Sequence, residues 1–215
     1  MNEEIFDLLR FYGLSWGEKK AERLDGYRGL LESRRRWGSL ASEGMQGRWK
    51  TVLAESLAAA QACDLPAGSR AVDLGSGGGL LGIPLAIVRP NMDVCLVESR
   101  SRKAAFLAEA AGALDLENVT VRNVRAQSLL GVEIFDLAVS RAAGKLAETG
   151  PLALGLLKRG GRYVALKSSA PAQEAEEALE AIEGAGGRLA GFRPVAFPAG
   201  AGVGGGASLV LVEKL

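Results

Sequence analysis

At 215 residues, with 48% hydrophobic and 24% charged residues, the chain is long enough to bury one full core and carry an appendage. Lys and Arg number 26 against 25 Asp and Glu, a net charge of +1, so any nucleic-acid surface must be a local cluster rather than a global excess. The absence of histidine removes the commonest metal ligand and the commonest general base, which excludes zinc chemistry and a Ser/His/Asp triad and leaves no metal expected.

From Met1 to about Ala62 apolar residues recur at helical spacing (Ile5, Leu8, Leu9, Tyr12; Tyr27, Leu30, Leu31; Val52, Leu53, Leu57), with breaks at Gly13 to Gly17 and Gly38 to Gly47. About three helices are expected there. The opening MNEEIFDLLRFYG is acidic where a secretory leader would be basic, and no apolar run reaches the length of a membrane span; a cytoplasmic chain is the expectation. Cys63 and Cys95 stand apart, Cys95 within a strand pattern, and read as reduced packing residues.

From Arg70 onward strands and helices alternate, the mark of a doubly wound parallel sheet. Val72 to Leu74 ends a first strand and runs into a glycine-rich turn and an apolar helix. VCLVE (Val94 to Glu98) is the second strand, Ser101 to Gly112 a helix, and Val119 to Val124 the third strand. Phe135 to Ser140 is the fourth, Lys145 to Lys158 a helix, and Arg162 to Lys167 the fifth strand after a turn at Gly160-Gly161. A helix over Pro171 to Ala185 precedes Arg188 to Phe197 and Ser208 to Val212, an antiparallel hairpin joined by PAGAGVGGG. The predicted organisation is an N-terminal helical extension over 1–62 and an α/β domain over 63–215.

The stretch VDLGSGGGLLG (Val72 to Gly82) carries the strongest chemical signal. Its five glycines fall within eight positions, so the backbone can take positive φ and admit a ligand without Cβ atoms in the way. The helix that follows would turn its unpaired N–H groups toward that ligand. Asp73 stands where a pyrophosphate-binding loop normally has an apolar residue, and a carboxylate there would repel phosphate. S-adenosyl-L-methionine has a sulfonium, an α-amino group and no phosphate, so an acid favours it. Glu98, closing the next strand, is placed to accept from two ribose hydroxyls.

In an open α/β sheet the ligand lies beyond the carboxyl ends of the strands, which singles out Asp73, Glu98, Arg125, Arg141 and Lys167. Arg125-Ala126-Gln127 is placed to bond an adenine edge. Ser140 to Gly144 lacks the DPPY or NPPY box of amine methyltransferases, and neither cysteine lies at a strand end to act as a nucleophile. A ring nitrogen such as guanine N7 needs no deprotonation, only positioning, and Arg141 and Lys167 suit that task as donors to O6, N7 or phosphate, a salt bridge with a neighbouring acid being the other reading of each. With no histidine, a flat rate profile near neutral pH is expected. In the N-terminal segment Arg34, Arg35 and Arg36, followed by Trp37, with Arg48, Trp49 and Lys50 beyond, form a candidate RNA face. Acidic residues nearly match the basic ones in that segment, so an ordinary solvated surface is an equal reading.

Taken together, VDLGSGGGLLGIPLAI, LVESRSRKAAFL, NVTV, RAQ, FDLAVSRA and YVALK resemble the bacterial GidB/RsmG family, in order and at its spacing, over about Ala71 to Lys167. The resemblance implies a class I S-adenosylmethionine-dependent methyltransferase that modifies N7 of a guanine in 16S rRNA, with the 30S subunit as partner, no membrane, and a monomeric state. It also implies cofactor contacts at Gly75, Leu80, Ala126, Gln127 and Arg141, with Glu98 on the ribose, to which the reading of the loop and strand end adds Gly77 and Asp73. Arg141 and Lys167 would be catalytic, and Arg34, Arg35, Arg36, Arg125 and Lys167 would face RNA. The sequence departs from the family pattern at several places. Gln127 replaces an acid and Ser168 a glycine; Arg34-Arg35, Ser39-Leu40-Ala41 and Thr51-Val52 replace motifs of the N-terminal helices, the last before Glu55-Ser56-Leu57, and Ala207-Ser208 replaces an arginine. A methyltransferase with another RNA or small-molecule acceptor, a non-catalytic cofactor binder, and a nicotinamide dehydrogenase disfavoured by Asp73 are the competing readings.

Overall fold

The computed structural model describes residues 2–33, 45–63, 65–167, 171–198 and 206–215. Arg34, Arg35, Arg36 and Ser168, and the glycine-rich connection at 199–205, lie outside the described residues.

Three N-terminal helices, α1 (Asn2–Phe11), α2 (Glu18–Ser33) and α3 (Met45–Ala62), precede a seven-stranded sheet. Its strands are β1 (Arg70–Leu74), β2 (Asp93–Val97), β3 (Val119–Arg122), β4 (Phe135–Arg141), β5 (Leu157–Lys167), β6 (Gly187–Pro194) and β7 (Ser208–Lys214). Helices α4 (Gly82–Val88), α5 (Ser101–Ala113), α6 (Leu146–Leu156) and α7 (Pro171–Gly184) connect them. The spatial order is β3-β2-β1-β4-β5-β7-β6. β1 through β5 pair in parallel, while β7 is antiparallel to both β5 and β6. The order reverses between β1 and β4, the switch point at which open α/β sheets bind ligands.

Burial accounts for the strand patterns. β1 and β2 are covered on both faces, so after one exposed residue every position is buried, as parallel central strands require. β3, at the edge, alternates between half-buried and exposed positions. α4 is buried along its whole length, which explains why its sequence, GIPLAIV, is apolar on every side. Ile5, Leu9, Leu24, Tyr27, Leu53 and Leu57 of α1 to α3 belong to the same hydrophobic cluster as α4, β1 and β2.

Two details differ from the sequence reading. Gly160-Gly161 is not a turn ahead of the fifth strand: β5 starts at Leu157 and runs through both glycines, with a register shift against β4 between Phe135 and Leu137. The pair is a bulge, since positive φ at Gly160 bends the strand without ending its ladder. The last two strands do form an antiparallel hairpin, but β7 inserts between β5 and β6. β7 gains a ladder on each side, and its Leu209, Val210 and Val212 are fully buried or nearly so.

Candidate functional site

The carboxyl ends of β1, β2 and β4 open onto a cleft of about 410 Å³. Its lining includes Asp73, Gly75, Gly77, Leu80, Glu98 and Arg141, so six of the eight expected cofactor residues meet in one place. Ala126 and Gln127 line an adjoining slot of about 290 Å³ with Arg125, between Leu74, Val97, Val124 and Leu152. The two cavities share Gly75, Ser99 and Ala143. Together they form one trough with an apolar end that suits a flat base and a polar end with two carboxyl groups.

Glu98 is 7% exposed, and both its oxygens are engaged: Gly77 N–H donates to Oε2 at 3.0 Å and Arg100 N–H to Oε1 at 2.8 Å. The carboxylate is thereby fixed against the glycine loop before any ligand arrives. Gly77 supplies that N–H from a left-handed conformation, φ +60°, where a side chain would strain the backbone.

Asp73 lines the cleft and also ties the helix that follows. It is 1% exposed, and Gly82 N–H donates to its Oδ2 at 3.1 Å. The first N–H of α4 is thus satisfied by Asp73, while Leu81, the N-cap of the helix, lines the cleft. Burial pushes the Asp73 carboxyl up to about 7, despite the opposing hydrogen bonds from Ser76 and Gly82. The chain therefore contains a carboxyl that burial shifts toward neutrality where histidine is lacking, against the expectation that only cysteine titrates near that range. Gly82 is required by this close packing: a Cβ there would lie 2.2 Å from Leu96 Cδ2 and 2.7 Å from Asp73 Oδ2.

The N-terminal helices hold the loop from above. Tyr27 OH on α2 donates to the Gly78 carbonyl at 2.6 Å, and Ser56 Oγ on α3 donates to the Leu80 carbonyl at 2.5 Å. Glu55, next to Ser56 and 4% exposed, accepts from Arg141 Nη1 at 2.6 Å. Tyr27, Glu55 and Ser56 were not singled out from sequence as site residues, nor were Arg100 and Lys103, which also line the main cleft. Arg100 and Lys103 had a legible signal, the basic run SRSRK directly after Glu98. Glu55 and Ser56 had one only in the motif position Glu55-Ser56-Leu57, and Tyr27 had none; their partners lie 51, 86 and 24 residues away for Tyr27, Glu55 and Ser56.

Arg141 ends β4 and faces two cavities. Besides the main cleft it lines a smaller one of about 220 Å³, with Arg48, Glu55, Ala142, Leu166, Lys167 and Ala207. Ala142 between them has φ +52°, an uncommon conformation for a residue with a side chain. Lys167 lines the smaller cavity and not the main cleft, and its ammonium donates to Glu174 Oε1 at 2.7 Å and to the Gly144 carbonyl at 2.8 Å. Arg125 is exposed at the mouth of the base slot. Cys63 and Cys95 are free and buried, and burial raises their thiols to about 12 and about 11. Among the described residues no group of three acidic or cysteine side chains could hold a metal, and no helix is long and apolar enough to cross a membrane.

The donor set fits a nucleoside bearing a cationic group. Two carboxyl groups stand at the loop where a pyrophosphate would need to lie, and the apolar slot beyond them lacks any acid. The family model described as rRNA small subunit methyltransferase G matches residues 27–192. A ribosomal RNA small subunit methyltransferase G of Roseiflexus sp. (strain RS-1) is 33% identical over 201 residues, covering 90% of this chain and 85% of that protein. Its counterpart in Staphylococcus carnosus is 30% identical, covering 99% and 90%. Among solved structures, a precorrin-6y C5,15-methyltransferase from Geobacter metallireducens superposes with a TM-score of 0.56 at 19% identity, covering 77% of this chain and 88% of that one, which shows the shared fold.

Proposed function

The chain belongs to the GidB family of rRNA small subunit methyltransferases, and from that premise we propose that it methylates N7 of a guanine in 16S rRNA within the 30S subunit, in the cytoplasm. The observation that carries the reading at this site is the trough in which a cleft lined by Asp73, Glu98 and Arg141 adjoins a slot lined by Ala126 and Gln127. Held there, S-adenosyl-L-methionine would supply an electrophilic methyl group, with its thioether as leaving group, to the N7 lone pair, and no proton need leave the base.

Each residue then has a task suited to its place. Glu98, aligned by two backbone N–H groups, accepts from the ribose hydroxyls. Gly75, Gly77 and Leu80 border the polar end of the trough, and Ala126 and Gln127 border the base slot. Asp73 sets the loop and adds negative charge when ionised. Arg141 orients the acceptor, and Lys167 holds the Gly144 segment beside it through the carbonyl bond. Arg125, and Arg34, Arg35 and Arg36 outside the described residues, are the proposed contacts to RNA phosphates. What the site supplies is orientation, and holding two reactants aligned is itself worth a large part of a barrier.

The test is methyl transfer from isotopically labelled donor to 30S subunits and to free 16S rRNA, followed by nuclease digestion and mass mapping. One N7-methylguanosine in the 16S chain is expected. Label in another base, or none, would overturn the acceptor assignment. NADH should not displace the donor.

A further inference from the structure

The small cleft beside Arg141 holds a pair of side chains whose chemistry is specific. Glu55 on α3 and Arg141 at the end of β4 lie side by side, joined at 2.6 Å, on one wall of a cavity of about 220 Å³. That is below the range of about 300–1,000 Å³ typical of drug-sized ligands and suits a single base. Glu55 is 4% exposed. Arg141 is only half-buried, so the guanidinium of this pair is open to the cavity.

A guanidinium has five donors and a carboxylate about four acceptor positions, and the contact between them uses few of these. The pair therefore presents, in a row, a donor followed by acceptors. The Watson–Crick edge of guanine is the complement: O6 accepts, N1–H donates and the 2-amino group donates. Adenine presents the reverse, a donor at N6 and an acceptor at N1, so each of its groups would meet its own kind. We infer that Glu55 and Arg141 form a guanine-reading clamp, with the Glu55 carboxylate accepting from N1–H and the 2-amino group and Arg141 donating to O6. On guanine N7 lies next to O6. A base held by this edge thus directs N7 past Arg141 to Ala142, the two residues that the cleft shares with the cofactor trough.

The clamp rests on the guanine reading proposed above and adds which side chains select the base. Lys167 does not compete for this role, being engaged with Glu174 and the Gly144 carbonyl. Arg48, exposed at the rim, is placed for the phosphate of the same nucleotide.

Binding of guanosine, inosine, adenosine and N1-methylguanosine monophosphates, measured by ligand-detected NMR with S-adenosylhomocysteine saturating the trough, tests the clamp. The unaltered protein should bind the guanosine nucleotide about tenfold or more tighter than inosine monophosphate, which lacks only the 2-amino group, as expected for one hydrogen bond to a charged acceptor. Adenosine and N1-methylguanosine monophosphates should not bind. Glu55→Gln should weaken guanosine monophosphate by a similar factor and abolish its advantage over inosine monophosphate, with a native circular-dichroism spectrum showing that the variant is folded. If Glu55 only positioned Arg141, the ratio between these two nucleotides would not move. A folded Glu55→Gln protein that keeps the preference, or an unaltered protein that shows none, overturns the clamp. The nucleotide series on the unaltered protein decides the question even if the variant does not fold. Guanosine preference without methyl transfer to 30S subunits would instead overturn the proposed function and leave the clamp standing.

Discussion

Asp73 is a carboxylic acid with almost no access to water, and its protonation state governs more than its charge. Its folded value of about 7 lies above the ordinary 3.8, so the neutral form is favoured in the fold. The stability this contributes is complete below about pH 4 and is lost as pH rises through about 7, on the order of 4 kcal/mol at about 1.4 kcal/mol per pH unit. The unfolding free energy in urea should therefore fall between pH 5.5 and 7.5 and level off above about 8, and Asp73→Asn should flatten that fall. Asp136 and Glu174, whose carboxyls are held low by Arg70 and Lys158 and by Lys167 and the Leu146 N–H against the opposing effect of burial, act in the opposite sense and only at lower pH. A cationic ligand beside Asp73 favours its ionised form. S-adenosyl-L-methionine should accordingly bind more tightly as pH rises from 6 to 8 and release a proton on binding, seen as a calorimetric enthalpy that varies with the buffer's ionisation heat. No proton release, or the same pH dependence in Asp73→Asn, would place the cation elsewhere.

At the scale of elements, the glycine loop is pinned from three sides. Asp73 on β1 holds the start of α4, Glu98 beyond β2 holds Gly77, and Tyr27 and Ser56 from the N-terminal helices hold Gly78 and Leu80. Tyr27 is fully buried, so Tyr27→Phe leaves the Gly78 carbonyl without that donor, at a cost of about 1 to 3 kcal/mol. Denaturant midpoints should show the loss, and calorimetry should show weakened cofactor binding. Unchanged affinity would mean that the sheet alone holds the loop. Gly82→Ala should be the more damaging change, since its Cβ would overlap Leu96 and crowd Asp73. Overpacking costs typically about 1 to 3 kcal/mol, and this overlap is deep, so a lowered unfolding midpoint is expected at neutral pH.

For the whole molecule, the trough and the smaller cavity, proposed as the cofactor and acceptor sides, meet at Arg141 and Ala142. α3 spans the two, giving Ser56 to the glycine loop and Glu55 to Arg141. RNA binding depends on charges spread over a wider surface, and Arg34, Arg35 and Arg36 are the densest basic run in the chain. Neutralising all three should leave cofactor affinity unaltered and flatten the salt dependence of 30S or RNA binding by up to about three phosphate contacts, each worth a slope of roughly 0.9 on duplex. Filter binding over a salt series reads this directly. An unchanged slope would assign the cluster to solvent and move the RNA face toward Arg125 and Arg48.

How much was legible depended on the range of the interactions involved. Alternating apolar runs and turns are local, so the three N-terminal helices, the parallel sheet, the strand ends and the Asp73-glycine-Glu98 trough were readable from residue order alone. The family resemblance rested on those same runs. The Gly160 bulge was not readable, because a bulge and a turn demand the same glycine and differ only in whether the ladder with β4 continues. Nor was the insertion of β7 beside β5, since a hairpin has the same local pattern whichever of its strands meets the sheet. The roles of Tyr27, Glu55 and Ser56 depended on partners far away in sequence. Burial decided Asp73: its position made it an acid at a strand end, and the packing of Leu96, Gly82 and α4 around it made that acid a group that titrates near pH 7.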